Sequence, residues 1–153
     1  MLNRLRERAG SEKGFTLIEL LVVMLILGIL AAIAIPAFLN QKNKANDAQA
    51  KTVARTMETA METCSTDNNG VYTNCNIAAL RQLEKTLPQT GTTVVATPGN
   101  PAGGYTVTAV STTQDQFDVR RDAAGNVTHP CRIPTATSDH GGCTITTGTT
   151  GTW

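Results

Sequence analysis

The chain has 153 residues, of which 41% are hydrophobic and 16% charged, so its length allows one domain. Its formal net charge is +1 at pH 7. The first fourteen positions hold four basic and two acidic residues, which leaves nine basic and ten acidic residues for the remainder. Because nucleic-acid surfaces need clustered Lys and Arg, this balance excludes a broad electrostatic surface of that kind, and we expect no nucleic-acid partner.

An apolar run follows the basic leader. Leu20 to Leu39 comprise twenty residues without a charge, which is long enough to cross a hydrocarbon core of about 30 Å as a helix. A single carboxylate, Glu19, directly precedes the run. An acidic residue costs about 2.5–3.5 kcal/mol at the centre of a membrane helix and less near its ends. Glu19 therefore requires an explanation.

Two ordinary interpretations of this N-terminus have to be weighed. A secretory signal could end at the A-x-A site formed by Ala32, Ile33 and Ala34, which would release a soluble domain starting near Ile35. A plain transmembrane anchor would keep its basic leader in the cytoplasm. Neither interpretation explains Glu19.

The segment KGFTLIE, from Lys13 to Glu19, resembles the prepilin cleavage and methylation signal of type IV pilins and related pseudopilins. The similarity continues through Gly28 and Pro36 into PAFLNQKNKANDAQAK, and it covers roughly the first third of the chain closely. The resemblance implies that the prepilin peptidase, a membrane aspartyl protease, cuts between Gly14 and Phe15 and methylates the new amine of Phe15.

The resemblance also implies a role for Glu19 in assembly. In the family, the matching residue pairs with the N-terminal amine of a neighbouring subunit. A buried anion and a buried cation are each unfavourable alone and far less so together. By pairing with the Phe15 amine of a neighbouring subunit, Glu19 would set the register of the subunits in a filament. Gly28 and Pro36 weaken helical structure, and we expect a kink or local loss of helix there that lets the segment bend or melt on assembly.

The predicted fold class is α+β and pilin-like, with a long N-terminal helix, half of it transmembrane, packed on a small antiparallel sheet that forms the head. The predicted segments are a leader at 1–14 that is removed, a transmembrane and filament-core helix at 15–39, and a head at 40–153. Within the head we expect an amphipathic helix at 40–64, a connecting loop at 65–91, the sheet at 92–129 and a C-terminal loop and tail at 130–153.

Periodicity supports these elements. Apolar residues at three- and four-residue steps define the core face of the helix in the head. A short helix is predicted after Asn76 as N-cap, with Pro88 as terminator. Three or four strands follow, with a hairpin turn at Asp122 to Asn126. The residues predicted to form the apolar faces are Ala50, Val53, Met57, Ala60, Met61 and Cys64 on the long helix, and Ile77, Leu80, Leu83 and Leu87 on the short one.

Four cysteines follow the apolar run, and an even number there favours disulfides in an oxidising compartment. Of the three connectivities we favour the local pairs Cys64 with Cys75 and Cys131 with Cys143. A zinc site formed by His129, Cys131, His140 and Cys143 is the less favoured alternative.

Other chemistry is weakly indicated. Asp115, Asp118 and Asp122 match no calcium-loop spacing, and Asn126 begins a glycosylation sequon. We find no catalytic constellation or phosphate loop, so we expect neither an enzyme nor a cofactor.

The predicted function is a structural subunit of a type IV pilus-like surface filament, or fimbrium, serving adhesion, motility or DNA uptake. By resemblance, its partners are further copies of itself in a helical filament, the prepilin peptidase, assembly platform and motor proteins, and membrane lipid before assembly. The subunit would wait in the cytoplasmic membrane as a single-pass protein with its head outside. The alternatives are a pseudopilin of a type II secretion or competence machine, and a membrane-anchored or secreted binding domain that does not polymerise.

Overall fold

The computed structural model describes residues 14–88, 94–98, 103–134 and 141–153. The predicted leader lies outside the described residues, apart from Gly14. The chain divides into two units at the junction of Leu39 and Asn40. The described elements are α1 (Leu17–Asp67), α2 (Ile77–Leu83), β1 (Val94–Pro98), β2 (Tyr105–Val110), β3 (Gln116–Arg121), β4 (Val127–Thr128), β5 (Pro130–Arg132), β6 (Thr144–Thr147) and β7 (Thr150–Thr152).

The long helix α1 ends three residues later than the sequence predicted. Its last turn is closed by Asn68, whose backbone N–H and side-chain Nδ2 both donate to the carbonyl of Cys64, at 3.1 and 3.0 Å. Gly70 N–H then donates to the carbonyl of Ser65 at 2.7 Å, and its φ of +82° favours glycine. The first residues of the predicted connecting loop at 65–91 therefore form the end of the helix and its C-terminal cap.

The core of the second unit lies between one face of α1 and one face of the sheet. The predicted helix face is confirmed, except that Val53 is only partly buried and Ala54 is fully buried. From the sheet, alternate residues of β2 and β3 point into the same core: Tyr105, Val107, Ala109, Phe117 and Val119 are buried.

One antiparallel sheet contains all seven described strands, in the order β1-β2-β3-β5-β7-β6, with β4 paired to β3. The predicted hairpin turn connects β3 and β4, where Asp122 Oδ1 accepts the N–H of Asn126 at 2.8 Å. The predicted three or four strands thus underestimate the sheet.

The additional strands lie within residues 130–153, where the sequence predicts a loop and a tail. Strands β5, β6 and β7 extend the sheet because Cys131 pairs with Phe117 on one side and with Gly151 on the other. Gly151 is buried, and a Cβ there would overlap the backbone of Thr144, so only glycine fits. Trp153 connects the end of the chain to β3 and β5, since its Nε1 donates to the carbonyls of Asp118 and Pro130, both at 3.1 Å.

The short helix α2 starts as predicted and ends early. The side chain of Asn76 accepts hydrogen bonds from the N–H groups of Ala78 and Ala79 at 3.0 and 3.1 Å. The helix then ends at Leu83, five residues before Pro88. Because the last turn is absent, the predicted apolar face is not kept intact: Leu80 is buried, whereas Leu83 is 46% exposed.

Both local cysteine pairs are bridged in the structure. Cys64 and Cys75 connect the end of α1 to the start of α2, with 5.8 Å between their Cα atoms. Cys131 and Cys143 connect β5 to the residue that precedes β6, with a Cα separation of 6.0 Å. The second bridge helps to bring the tail into the sheet.

Candidate functional site

The processing segment lies at the start of α1. Gly14, Phe15 and Thr16 precede the first helical residue, and all three are exposed, with Phe15 at 85%. No heavy atom lies within 4 Å of a Cβ built on Gly14. The peptide bond between Gly14 and Phe15 is therefore accessible.

Thr16 and Glu19 form a capping box around the first turn. The carboxylate oxygen Oε2 of Glu19 accepts the backbone N–H of Thr16 at 3.0 Å and the hydroxyl of Thr16 at 2.8 Å. In return, the backbone N–H of Glu19 donates to the Thr16 hydroxyl oxygen at 3.3 Å. This exchange satisfies donors that have no partner at a helix N-terminus, so Glu19 has a local structural role.

Thr16 is not among the site residues predicted from the sequence. The signal that could have found it is the spacing T-x-x-E directly before an apolar run, which is the pattern of a capping box. The structure thus brings together Phe15, Thr16 and Glu19 within one turn, whereas Gly28 and Pro36 lie further along the helix.

The apolar segment from Phe15 to Leu39 presents its side chains outward. Every one of its large hydrophobic residues is exposed, at 46% or more. By length and composition, α1 is the one helix in the described part of the chain that could cross a membrane, with a mean hydropathy of 3.0 over its most apolar window. Because so much exposed apolar surface is unfavourable in water, this segment needs lipid or protein around it.

Helical structure continues through both predicted weak points. Gly28 and Pro36 lie inside α1, so the local loss of helix predicted near Pro36 is not seen in the described helix. A Cβ on Gly28 would meet no heavy atom within 4 Å. The absence of a side chain there leaves space beside the helix, and melting of this segment in a filament stays a prediction.

The head has a polar cluster that connects α1 to the sheet. The Glu62 carboxylate accepts the hydroxyls of Tyr72 at 2.8 Å and of Tyr105 at 3.0 Å, and it lies 3.3 Å from Nη1 of Arg121. Burial raises the pKa of both tyrosines above the usual range, and the Glu62 charge raises it further. Both phenols therefore stay protonated at neutral pH, when they serve as hydrogen-bond donors.

Several candidate metal ligands of the head have other partners in the described part of the chain. Cys131 and Cys143 are joined to each other, and His140 lies outside the described residues. Asp118 accepts the hydroxyl of Thr108 and pairs with Arg120, both at 2.8 Å. Among the described residues, no group of three or more His, Cys, Asp or Glu side chains is placed to hold a metal ion.

A family model described as the prokaryotic N-terminal methylation motif matches residues 10–35. This stretch includes the predicted cleavage site, the capping box and most of the apolar run. No solved structure shows a significant match to the chain.

Curated relatives match parts of the chain. The type IV major fimbrial protein FimA of Dichelobacter nodosus is 48% identical over 56 residues, which cover 37% of this chain and 36% of that protein. The type IV narrow pilus major component PilA5 of Thermus thermophilus is 41% identical over 61 residues, 40% of this chain and 53% of that protein. The type II secretion system core protein G of Pectobacterium carotovorum is 36% identical over 95 residues, 61% of this chain and 56% of that protein. The matched regions therefore span between about a third and just over half of these relatives.

Proposed function

We propose that the chain is the structural subunit of a type IV pilus-like surface filament. Its match to the prokaryotic N-terminal methylation motif and its similarity to type IV fimbrial proteins and to a type II secretion core protein support this. The observation that carries this proposal is the combination of an exposed apolar helix with a methylation motif that includes Phe15 and Glu19. A helix of this kind needs a bilayer before assembly and other helices after it.

Processing starts the pathway. The prepilin peptidase cuts between Gly14 and Phe15 and methylates the amine of Phe15. Exposure of Gly14 and Phe15 supports this step, because a protease must bind its substrate in an extended, accessible form. The cut creates a positive charge four residues before Glu19, and that charge does not exist in the uncut chain.

Glu19 then pairs with the Phe15 amine of a neighbouring subunit. Both donors of Thr16 bind the same oxygen of Glu19, Oε2. Within the described residues the other oxygen, Oε1, receives no hydrogen bond, and it can accept one from the neighbour. Thr16 therefore orients the carboxylate without using all of its capacity. In a low-dielectric filament core this ion pair fixes the axial register of the subunits.

The segment from Gly28 to Pro36 allows the helix to bend or melt during assembly. Proline lacks a backbone donor and glycine lowers helix stability by about 1 kcal/mol relative to alanine. Neighbouring residues can therefore leave the helical conformation at low cost when the subunit moves from lipid into the filament.

Before assembly the subunit spans the cytoplasmic membrane once, with its head outside. The head forms its two disulfides in that oxidising compartment. Assembly platform and motor proteins extract the subunit from the membrane and add it to the filament. Adhesion, motility and DNA uptake are the roles that such a filament serves.

Two matched strains test this proposal, one with and one without an active prepilin peptidase. The active strain should yield a shortened chain and filaments that shear from the cell surface. The inactive strain should retain the full-length chain in the membrane and yield no filaments. A chain that is shortened equally in both strains would refute the role of the peptidase.

A pseudopilin of a type II secretion or competence machine is the second candidate. The observation that favours it is the match to secretion core protein G, which extends over more of this chain than the matches to the two pilins described above. Localisation separates the candidates, since a surface pilin appears in the sheared fraction at its native expression level. A pseudopilin remains cell-associated, and its deletion blocks secretion or DNA uptake.

A further inference from the structure

The C-terminal cap of α1 contains two successive residues with positive φ. Asn69 has a φ of +55° and Gly70 has a φ of +82°. Glycine adopts such angles freely, and asparagine is one of the few other residues that tolerate them. The geometry of the cap therefore favours the dipeptide Asn-Gly at this point, and the side chain of Asn69 is exposed.

The dipeptide Asn-Gly is chemically labile. When the backbone nitrogen of Gly70 loses its proton, it can attack Cγ of Asn69, which closes a succinimide ring and releases the side-chain nitrogen as ammonia. Water then opens the ring at either carbonyl, so that the asparagine becomes aspartate or isoaspartate. Glycine in the second position favours the attack, because it has no side chain to hinder the approach. Water is the only co-reactant that this modification needs.

The same cap holds the nitrogen that would attack. The N–H of Gly70 donates to the carbonyl of Ser65 at 2.7 Å. Asn68 supports this turn, because its Nδ2 donates to the carbonyl of Cys64 at 3.0 Å and lies 3.4 and 3.7 Å from the two sulfurs of the bridge between Cys64 and Cys75. The nitrogen of Gly70 is therefore not available to attack until its hydrogen bond to Ser65 opens.

We propose that Asn69 is a deamidation site that the cap of α1 keeps closed, so that the asparagine is converted only when the bond between Gly70 and Ser65 has opened. The rate of conversion is then the rate in an unfolded chain multiplied by the open fraction of the cap. Conversion would destabilise the cap, because it adds a negative charge at the C-terminal end of a helix, where the macrodipole disfavours anions. The site is most open before Cys64 and Cys75 are joined.

Peptide mapping of the full-length chain tests the proposal. The oxidised chain in detergent micelles and the same chain reduced and unfolded in denaturant are held at one mildly alkaline pH. The peptide that contains Asn69 is then analysed for isoaspartate and for a mass gain of about 1 Da. We expect conversion to be slower in the oxidised chain by a factor of about ten or more, which corresponds to about 1.4 kcal/mol or more. Equal rates would overturn the proposal.

Asn68→Ala tests the cap separately from the rest of the head. The variant loses the Nδ2 donor but keeps Asn69 and Gly70, and we expect conversion about fivefold faster than in the wild type, which corresponds to about 1 kcal/mol. Asn74→Ala is the matched control, because Asn74 is exposed in the same disulfide loop and its side chain takes no part in the cap. Conversion in Asn68→Ala that is no faster than in Asn74→Ala would overturn the proposal.

Hydrogen exchange connects the rate of conversion to the bond with Ser65. The amide of Gly70 exchanges from the same open state, so Asn68→Ala should accelerate exchange and conversion by the same factor. Faster exchange without faster conversion would contradict the proposal. Asn69→Gln should abolish the product, and a product that persists in this variant would assign the site to another residue. If Asn68→Ala fails to form both disulfides, the oxidised and reduced wild-type chains decide the question.

Discussion

Thr16 and Glu19 bind each other in both directions across the first turn of α1. Glu19 Oε2 accepts the Thr16 N–H at 3.0 Å, and the Thr16 hydroxyl accepts the Glu19 N–H at 3.3 Å. The acid therefore has a role inside one subunit, besides its proposed role between subunits. The two roles differ in what they need, because capping needs an acceptor atom and ion pairing needs a charge.

Glu19→Gln separates these roles. The amide oxygen of glutamine still accepts the Thr16 donors, whereas the negative charge is lost. We expect Glu19→Gln and Glu19→Ala to be cut normally by the peptidase and to be incorporated poorly, measured as the ratio of sheared to membrane-bound subunit. Normal incorporation of Glu19→Gln alongside poor incorporation of Glu19→Ala would show that capping, rather than charge, is what assembly requires.

Thr16→Ala removes the other half of the capping box. Loss of a threonine cap costs about 1 kcal/mol of helix stability, so the first turn of α1 should open more often. Amide hydrogen exchange of residues 19–22, whose N–H groups are the first to find acceptors in this turn, should be about fivefold faster at that cost when measured on the processed chain in detergent micelles. Thr16→Ser keeps a hydroxyl and should exchange at nearly the wild-type rate. An unchanged rate in Thr16→Ala would contradict the capping role.

The head should lose stability at alkaline pH. Folding raises the pKa of Tyr105 and Tyr72 above the ordinary value of 10.0, through burial and then through Glu62. A raised pKa means that folding favours the protonated phenol, so this contribution is complete below pH 10.0 and is lost as the pH rises through the folded-state pKa. Thermal unfolding of the disulfide-intact chain in detergent, measured below and above pH 10.0, records this loss of stability.

Tyr105→Phe is the matched variant for this test. It removes the hydrogen bond to Glu62 and should lower the neutral-pH free energy of unfolding by about 1–2 kcal/mol. It also removes the ionisable group, so its stability should fall less steeply above pH 10.0 than that of the wild type. Parallel alkaline curves for the two proteins would exclude Tyr105 as a cause of the loss.

The two disulfides should each stabilise the head. Reduction of the unfolded chain should add four hydrogen atoms, about 4 Da, because both bridges open. Replacing either cysteine pair by serine should lower the free energy of unfolding by about 3 kcal/mol, measured by denaturant titration. A chain that binds zinc and gains only about 2 Da on reduction, from the bridge between Cys64 and Cys75, would contradict the bridge between Cys131 and Cys143.

Local signals predicted the elements that depend on local interactions. The N-cap at Asn76, the turn from Asp122 to Asn126 and the alternation of β2 are encoded by neighbouring residues, and the structure contains all three. The end of α1 was less accurately predicted, because Asn68 falls in the predicted connecting loop although its side chain caps the helix.

Long-range pairing could not be predicted from local patterns. The tail is rich in threonine and glycine, so it has no regular apolar alternation, and its strands depend on pairing with residues far away in sequence. Gly151 is an example, since the residue that breaks the local strand pattern is required for the close approach of Thr144. Thr16 differs from the tail, because a local pattern, T-x-x-E directly before an apolar run, is sufficient to predict its hydrogen bonds with Glu19.

The mass of the N-terminal peptide of the mature chain tests the central claim most directly. Protein isolated from an assembling strain is digested, and its first peptide is sequenced by tandem mass spectrometry. The account predicts a peptide that begins at Phe15 with a methylated amine. A peptide that begins at Met1 or at Ile35 would contradict the account, because the positive partner of Glu19 would then never form.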